Sequence, residues 1–368
     1  MSPRRGSDLA VDIVISNYNY GSFLIDAVES ACRQTYPNVN VVVVDDGSTD
    51  DSRERLRDYE DRVEIVSKEN GGQASALNAG LARCHGDLVM FLDADDVLRP
   101  WAAGRVAEEF STDPNLARVQ FRMAFVDATG HPTGQTEPSE HQRAPTGDLR
   151  HAELAFPFDL PWIAGGGTAF RTEPLRTIFP IPERDYPRCG ADWYVVHLMA
   201  LLGEAGYVDE VCADYRLHGR NGYARQDQQL DLQQVRHSIA YSAPTKAALA
   251  RLADQVGLER PERILSMSDL ANRLISLRLE PQTHPIRDDN VFGLLADSVR
   301  AARRRFDVSW PMKVVFVGWF VAVAVSPRPL VRRLGELLWF PTARRGWINR
   351  LLGRLRRESV GRAPARSA

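Results

Sequence analysis

Two carboxylates at the end of an apolar run carry the first chemical signal in this chain. Leu88-Val89-Met90-Phe91-Leu92 leads directly into Asp93-Ala94-Asp95-Asp96. A short continuous apolar run bounded by turn formers reads as a strand buried on both faces. Ligands of an open α/β sheet bind beyond the carboxyl ends of its strands. Along an extended chain, alternate side chains share a face about 6.6 Å apart. Asp93 and Asp95 are thus expected on one face, with Ala94 and Asp96 opposite. Such a pair suits a hard divalent cation, Mg²⁺ or Mn²⁺, which takes oxygen ligands and joins one or two carboxylates to substrate phosphates. The alternative for this stretch by itself is a solvated acidic turn capping the next helix.

The chain that positions these residues has 368 amino acids, 44% hydrophobic and 26% charged, an ordinary globular composition with room for one to three domains. The net charge of −2 is unevenly spread. From Arg328 onward there are eleven Arg and only Glu336 and Glu358 as acids. Cys32, Cys84, Cys189 and Cys212 are scattered, with no CxxC pair, which argues against a disulfide framework or a zinc motif. Arg4 and Arg5 precede a run broken by Asp8 and Asp12, unlike a signal peptide. A reducing cytoplasmic setting is the expectation.

Strand candidates Val11–Ile15, Val39–Val44, Val63–Val66 and Leu88–Leu92 alternate with helical patterns, the first capped at Ser22 and another running from Gln73 to Arg83. This alternation predicts a parallel sheet with right-handed crossovers. Ser16-Asn17-Tyr18-Asn19, Asp45-Asp46-Gly47-Ser48 and Asp93–Asp96 then fall on one sheet edge. A carboxylate after the second strand can accept hydrogen bonds from a base or ribose. Neither GxGxxG nor GxxxxGK[ST] is present, which disfavours a dinucleotide fold and a P-loop. Gly71-Gly72-Gln73 opens either a phosphate-favouring helix N-terminus or an ordinary helix.

Four motifs in order, Ser16–Asn19, Val41–Ser48 (VVVVDDGS), Asn70–Gly80 (NGGQASALNAG) and Phe91–Asp96 (FLDADD), resemble family 2 glycosyltransferases of the GT-A fold. The likeness spans about residues 10 to 220. It implies an α/β, Rossmann-like, mostly parallel sheet flanked by helices, and an inverting transferase using a nucleotide-diphosphate sugar and a divalent metal. Carried over residue by residue, Asp46 matches the acid that binds the nucleobase. Ser16, Asn17 and Tyr18 match the segment under base and ribose. Asp93 and Asp95 match the DxD motif, the first near the ribose and the second on the metal.

Further along, Val119–Val126 predicts a strand and 127–148 a long loop. Gly165-Gly166-Gly167 permits close backbone approach. The resemblance puts Gly166 and Gly167 at the acceptor pocket, and the alternative is a tight turn before a strand. Asp192 opens a helix running to Leu202. On its own it reads as a charge complementing the helix dipole, whereas the resemblance makes it the general base. The family usually has an acid just before it, and this chain has Ala191. Tyr215-Arg216-Leu217-His218-Gly219-Arg220-Asn221 is similar to the family's YRxHxxN segment, with His218 a metal or diphosphate ligand and Arg216 and Arg220 a diphosphate clamp.

Residues 1–230 are therefore expected to form the catalytic domain and 231–306 a helical appendage. Residues 307–368 read as an apolar and Arg-rich tail. Val314–Val325 is too short to span a bilayer, since about 20 residues are needed. Interleaved aromatics, leucines and arginines suit a tail lying on an anionic membrane surface. The expected setting is the inner face of the cell membrane, with an acceptor saccharide or lipid-linked saccharide from envelope polysaccharide or glycolipid synthesis. No nucleic-acid recognition module accompanies the basic run. Two rivals remain. A sugar nucleotidyltransferase needs a Gly-rich, Arg-bearing loop that Asn17–Gly21 lacks, and a degenerate donor-binding scaffold is favoured only by Ala191.

Overall fold

The computed structural model describes residues 9–140, 142–163, 165–219, 221 and 229–339. The chain opens with β1 (Val11–Asn17), α1 (Gly21–Cys32), β2 (Val39–Asp45), α2 (Ser52–Leu56), β3 (Glu64–Ser67), α3 (Gln73–Leu81) and β4 (Leu88–Asp93). It continues with β5 (Val97–Leu98), α4 (Ala102–Thr112), β6 (Leu116–Asp127), β7 (Pro132–Glu137), α5 (Arg150–Ala155), β8 (Thr168–Arg171), α6 (Thr172–Thr177), α7 (Ala191–Leu202) and β9 (Glu204–Leu217). Then follow α8 (Leu232–Gln255), α9 (Met267–Leu279), α10 (Val291–Arg304), α11 (Trp310–Val325) and α12 (Arg328–Trp339).

Among the described residues, one mixed sheet of nine strands runs β3-β2-β1-β4-β8-β6-β9-β5, with β7 hydrogen-bonded to β6. The first four strands are parallel. β8 is antiparallel to both β4 and β6, and β9 lies parallel to β6. This is the α/β architecture expected from the alternating pattern. β1 and β4 are buried along almost their whole length, as continuous apolar strands covered on both faces should be. Their register brings the polar ends together: Asn17 pairs with Asp45 and Ser16 with Asp93.

Three local readings differ from the structure. The loop expected over 127–148 contains β7, whose residues are mostly polar and exposed and owe their strand geometry to β6. The sequence reads a strand-like run over Tyr207–Ala213 with Tyr215–Asn221 after it, whereas β9 runs on through Tyr215 and Arg216, because pairing with β6 extends to Leu217. Helix α1 starts at Gly21, and the Leu24 and Phe23 N–H groups return to the Tyr20 carbonyl, so Ser22 lies inside the first turn and not at the cap.

The chain divides into two compact units, 1–153 with 160–224 and 247–258, and 154–159 with 225–246 and 259–368. The first has its core between the sheet and α1 and α4, around Ile13, Leu24, Val28, Met90, Phe110 and Phe121. The second has its own core, in which Leu270 and Leu274 of α9 meet Leu294 of α10, Phe320 and Val323 of α11 and Val331 of α12. Asp159 caps α9 there, accepting hydrogen bonds from the Met267 and Ser268 N–H groups at 2.8 Å. No described helix is long and apolar enough to cross a membrane.

Candidate active site

Carboxylates collect at the carboxyl ends of β2 and β4 and at the start of α7. The extended alternation expected beyond Leu92 stops at Asp93. There the chain turns through Ala94 and Asp95, closed by the Asp96 N–H donating to the Asp93 carbonyl at 3.0 Å. The turn overrides strand period, because side chains alternate only while the backbone stays extended. It sends Asp96 inward, where its buried carboxylate accepts the Arg216 N–H at 3.1 Å.

Asp93 accepts a hydrogen bond from the Ser16 hydroxyl at 3.3 Å. Burial, then the charges of Asp95 and Asp192, push its carboxyl up to about 7. Asp96 is held well above the usual carboxylate range by burial and by Asp95 and Asp93, against the opposing pull of Arg216. Asp192 is raised as well, chiefly by burial, although the Trp193 N–H at 2.9 Å and the Gly165 N–H favour its ionised form. Crowded carboxylates in a low-dielectric site disfavour one another's charge. Asp93 and Asp192 line one small cavity with Gln73, Leu77, Gly165 and Gly166.

The sequence builds the walls of this cavity by close approach. A Cβ on Gly165 would stand 2.9 Å from the Asp192 Cβ, and one on Gly166 would stand 3.2 Å from an Asp96 oxygen. Gly165–Gly167 forms a 3₁₀ turn leading into β8. Gly72 has φ of +84° at the head of α3 and lies against the Pro187 carbonyl. The Gln73 side chain reaches across to accept the Ala191 N–H at 3.1 Å. The starts of α3 and α7 are thereby tied together beside Asp192.

The base-binding candidates lie on the β1–β2 side. The Asp46 carboxylate is buried and accepts from Lys68 Nζ at 2.6 Å, Gly71 N–H at 3.0 Å and Gly72 N–H at 2.7 Å. Asn17 donates to Asp45 at 3.1 Å and to the Ser48 hydroxyl at 3.0 Å, while its buried Oδ1 has no partner among the described residues. Tyr18 is exposed.

His218 Nε2 lies 2.8 Å from an Asp95 carboxylate oxygen, and its ring stacks on Phe23 with centroids 5.0 Å apart. Arg216 is buried and spends its donors on Asp26 at 2.8 Å, the Asp95 carbonyl at 3.1 Å and the Ala128 carbonyl at 3.3 Å. In this geometry it braces the Asp95 turn. Arg220 lies outside the described residues.

No group of three or more His, Cys, Asp and Glu side chains placed to hold a metal ion exists among the described residues. The donors present nevertheless fit a divalent ion that completes its shell with substrate oxygens. Asp95 and His218 supply one oxygen and one nitrogen ligand, and a cation beside them would relieve the mutual repulsion that raises Asp93.

Sequence reasoning missed Lys68, Asp96 and a polar pair beneath α7. His197 Nδ1 lies 2.8 Å from Glu153, both side chains 2% exposed, and the His197 ring packs edge-on against Trp193 and Trp162. The available signal was one histidine in the otherwise apolar run Tyr194–Leu202.

Comparison with known proteins gives this geometry its context. The description "Glycosyl transferase family 2" matches residues 12–179. An uncharacterised glycosyltransferase of Nostoc sp. is 32% identical over 58% of this chain and 67% of its own length. Chondroitin synthase of Escherichia coli is 36% identical over 33% of this chain, and the match spans only 18% of that longer protein. Among solved structures, S. aureus TarS 1–349 in complex with UDP superposes with a TM-score of 0.50 at 14% identity, covering 88% of this chain and 90% of that one. That likeness is one of fold. With motifs, sheet and a relative matched along two thirds of its length in agreement, the chain belongs to glycosyltransferase family 2.

Proposed function

We propose that this glycosyltransferase moves a sugar from a nucleotide-diphosphate donor to an acceptor hydroxyl with inversion at the anomeric carbon. The observation that carries the reading is the cavity shared by Asp93 and Asp192 at the carboxyl edge of the parallel sheet. Tyr18, Asn17 and the Asp46–Lys68 pair form the base side of the donor site, and Asp93 with Ser16 its ribose side. Gly166, in the cavity wall, leaves the acceptor room, whereas Gly167 packs against Ile163 and Met123 and supports that wall from behind. Asp192 is the general base: its raised proton affinity suits it to take the hydroxyl proton. As that proton moves to Asp192, the acceptor oxygen forms its bond to the anomeric carbon. The bond to the diphosphate breaks on the opposite face, and its electron pair leaves with the nucleoside diphosphate. Asp95 and His218 would hold a divalent ion, which supplies charge neutralisation on the diphosphate.

We further infer a peripheral enzyme on the inner membrane face acting on a saccharide or lipid-linked acceptor. The concentration of arginine beyond residue 328 supports this.

A panel of nucleotide sugars tests the donor reading, with uridine diphosphate sugars first because the fold neighbour was solved with UDP. The expected result is release of nucleoside diphosphate from one donor, lost with EDTA and in Asp95→Ala. A folded sample that binds no donor, with or without Mg²⁺ or Mn²⁺, would sink the proposal. Donor binding without turnover in the presence of any acceptor would point to the scaffold.

A further inference from the structure

We infer that the outward face of α11 is a membrane-docking surface that lies in the plane of an anionic bilayer. This rests on the peripheral-enzyme reading above and names the surface that reading lacked. Helix α11 turns Phe320, Val323 and Ala324 into the core of its unit and also buries Met312. Its opposite side holds Trp310, Val314, Val315, Gly318, Val321 and Val325, recurring at the three- and four-residue spacing of one helix face. Trp310 is 72% exposed, Val314 52%, Val321 45% and Val325 75%. The outward side of a helix in a globular protein is ordinarily polar. This one carries no charged residue along its length, and the single charge on α11, Lys313, is half-buried and directed at the Arg303 carbonyl. Isolated exposed valines would need no explanation, whereas a continuous apolar stripe marks an interaction surface.

Charge decides the occupant. Residues 291–368 contain sixteen Lys and Arg against four Asp and Glu, while the remainder of the chain carries a net −14. Helix α12, directly after the stripe, exposes Arg328, Arg332 and Arg333. An apolar helix face followed directly in the chain by exposed cations matches the boundary between acyl chains and anionic headgroups. Sixteen residues make a helix of about 24 Å, short of the roughly 30 Å hydrocarbon thickness, so lying in the interface is the geometry open to it.

The test is flotation of the full-length protein with vesicles of phosphatidylcholine and phosphatidylglycerol, and with phosphatidylcholine alone. Binding is expected to favour the anionic vesicles. A triple variant, Val314→Asp, Val321→Asp and Val325→Asp, should lose at least about tenfold in vesicle affinity while keeping its melting temperature and donor hydrolysis. As a milder readout, the vesicle-induced blue shift of tryptophan emission should be largely lost in Trp310→Phe. If the triple variant floats like the wild type while Arg354→Gln, Arg356→Gln and Arg357→Gln together abolish flotation, the enzyme is peripheral and the α11 assignment is wrong. If the wild type floats with neither vesicle, the peripheral reading itself falls. A triple variant that turns a dimer into a monomer, with vesicle binding unchanged, would make the face a self-association surface and overturn the proposal.

Discussion

Two sets of aspartates stand at the carboxyl edge of the same sheet, and they are treated in opposite ways. After β2, Asp45 and Asp46 are buried and matched. Asp45 takes Arg53 Nε at 2.6 Å and the Asn17 amide, and Asp46 takes Lys68 and two backbone N–H groups. After β4 and at the head of α7, Asp93, Asp96 and Asp192 crowd together, and all three carboxyls are raised by burial. A buried carboxylate with a full set of donors is scaffold. A cluster left short of positive charge stores an unfavourable state that substrate, proton or cation relieves, and such perturbed groups gather at reactive sites. The contrast divides the edge into a part that holds the donor loops in place and a part that reacts.

The sharpest way to break this comparison is Asp192→Asn. Loss of the base should lower kcat about 10² to 10⁴-fold. The same change should raise thermal stability at pH 8. The folded-state value of Asp192 lies above its unfolded value, so its contribution to stability is complete below the ordinary aspartate range and is lost as pH rises through the raised value. The gain in Tm should therefore shrink toward pH 4. In the active enzyme, the acid limb of kcat/KM should lie above the range of an ordinary carboxylate. A variant that loses activity and stability together at pH 8 would place Asp192 with the scaffold set.

From the matched side, Lys68→Met should cost about 1 to 2 kcal/mol in denaturant unfolding. Lys68 is 23% exposed, so part of its pairing with Asp46 is already screened. The Gly71 and Gly72 N–H groups remain on Asp46, but the turn into α3 loses its charged anchor. KM for the donor should rise more than kcat falls. A drop confined to kcat would move Lys68 to the reactive set.

How far this division could be read in advance follows from which contacts are local. The alternation of apolar runs and helical patterns led to the parallel strands β3-β2-β1-β4 and to the edge on which Asn17, Asp46 and Asp93 stand. Period and turn chemistry act within a few residues of each strand. The Asp93–Asp96 turn, the second half of β9, β7 and the Glu153–His197 pair were not legible. β7 pairs with its chain neighbour β6, but its polar, exposed residues carry no apolar alternation to mark a strand. The other three are fixed by a partner remote in sequence or by a turn that competes with the strand: Arg216 for Asp96, β6 for β9, Glu153 for His197. The difference between the two aspartate sets was hidden for the same reason. Asp45-Asp46 and Asp95-Asp96 are the same dipeptide, and only the fold decides which one meets Lys68 and Arg53.

The smallest expected effect lies with Arg53, and it tests whether pairing alone defines the scaffold set. Arg53 is 53% exposed, while the Asp45 side chain it meets is fully buried. Water screens the arginine end, and an exposed partner contributes little, so Arg53→Gln should cost no more than about 1 kcal/mol. The Gln amide can still donate a neutral hydrogen bond, and Asn17 still donates to Asp45 at 3.1 Å. Donor KM and kcat should stay within about twofold of the wild type. Chemical denaturation and a nucleotide-sugar titration measure both quantities on one sample. A loss larger than that of Lys68→Met would mean that Asp45 depends on one cation as the reactive set does. The line between matched and unmatched carboxylates would then fall between Asp45 and Asp46, not between the two strand ends.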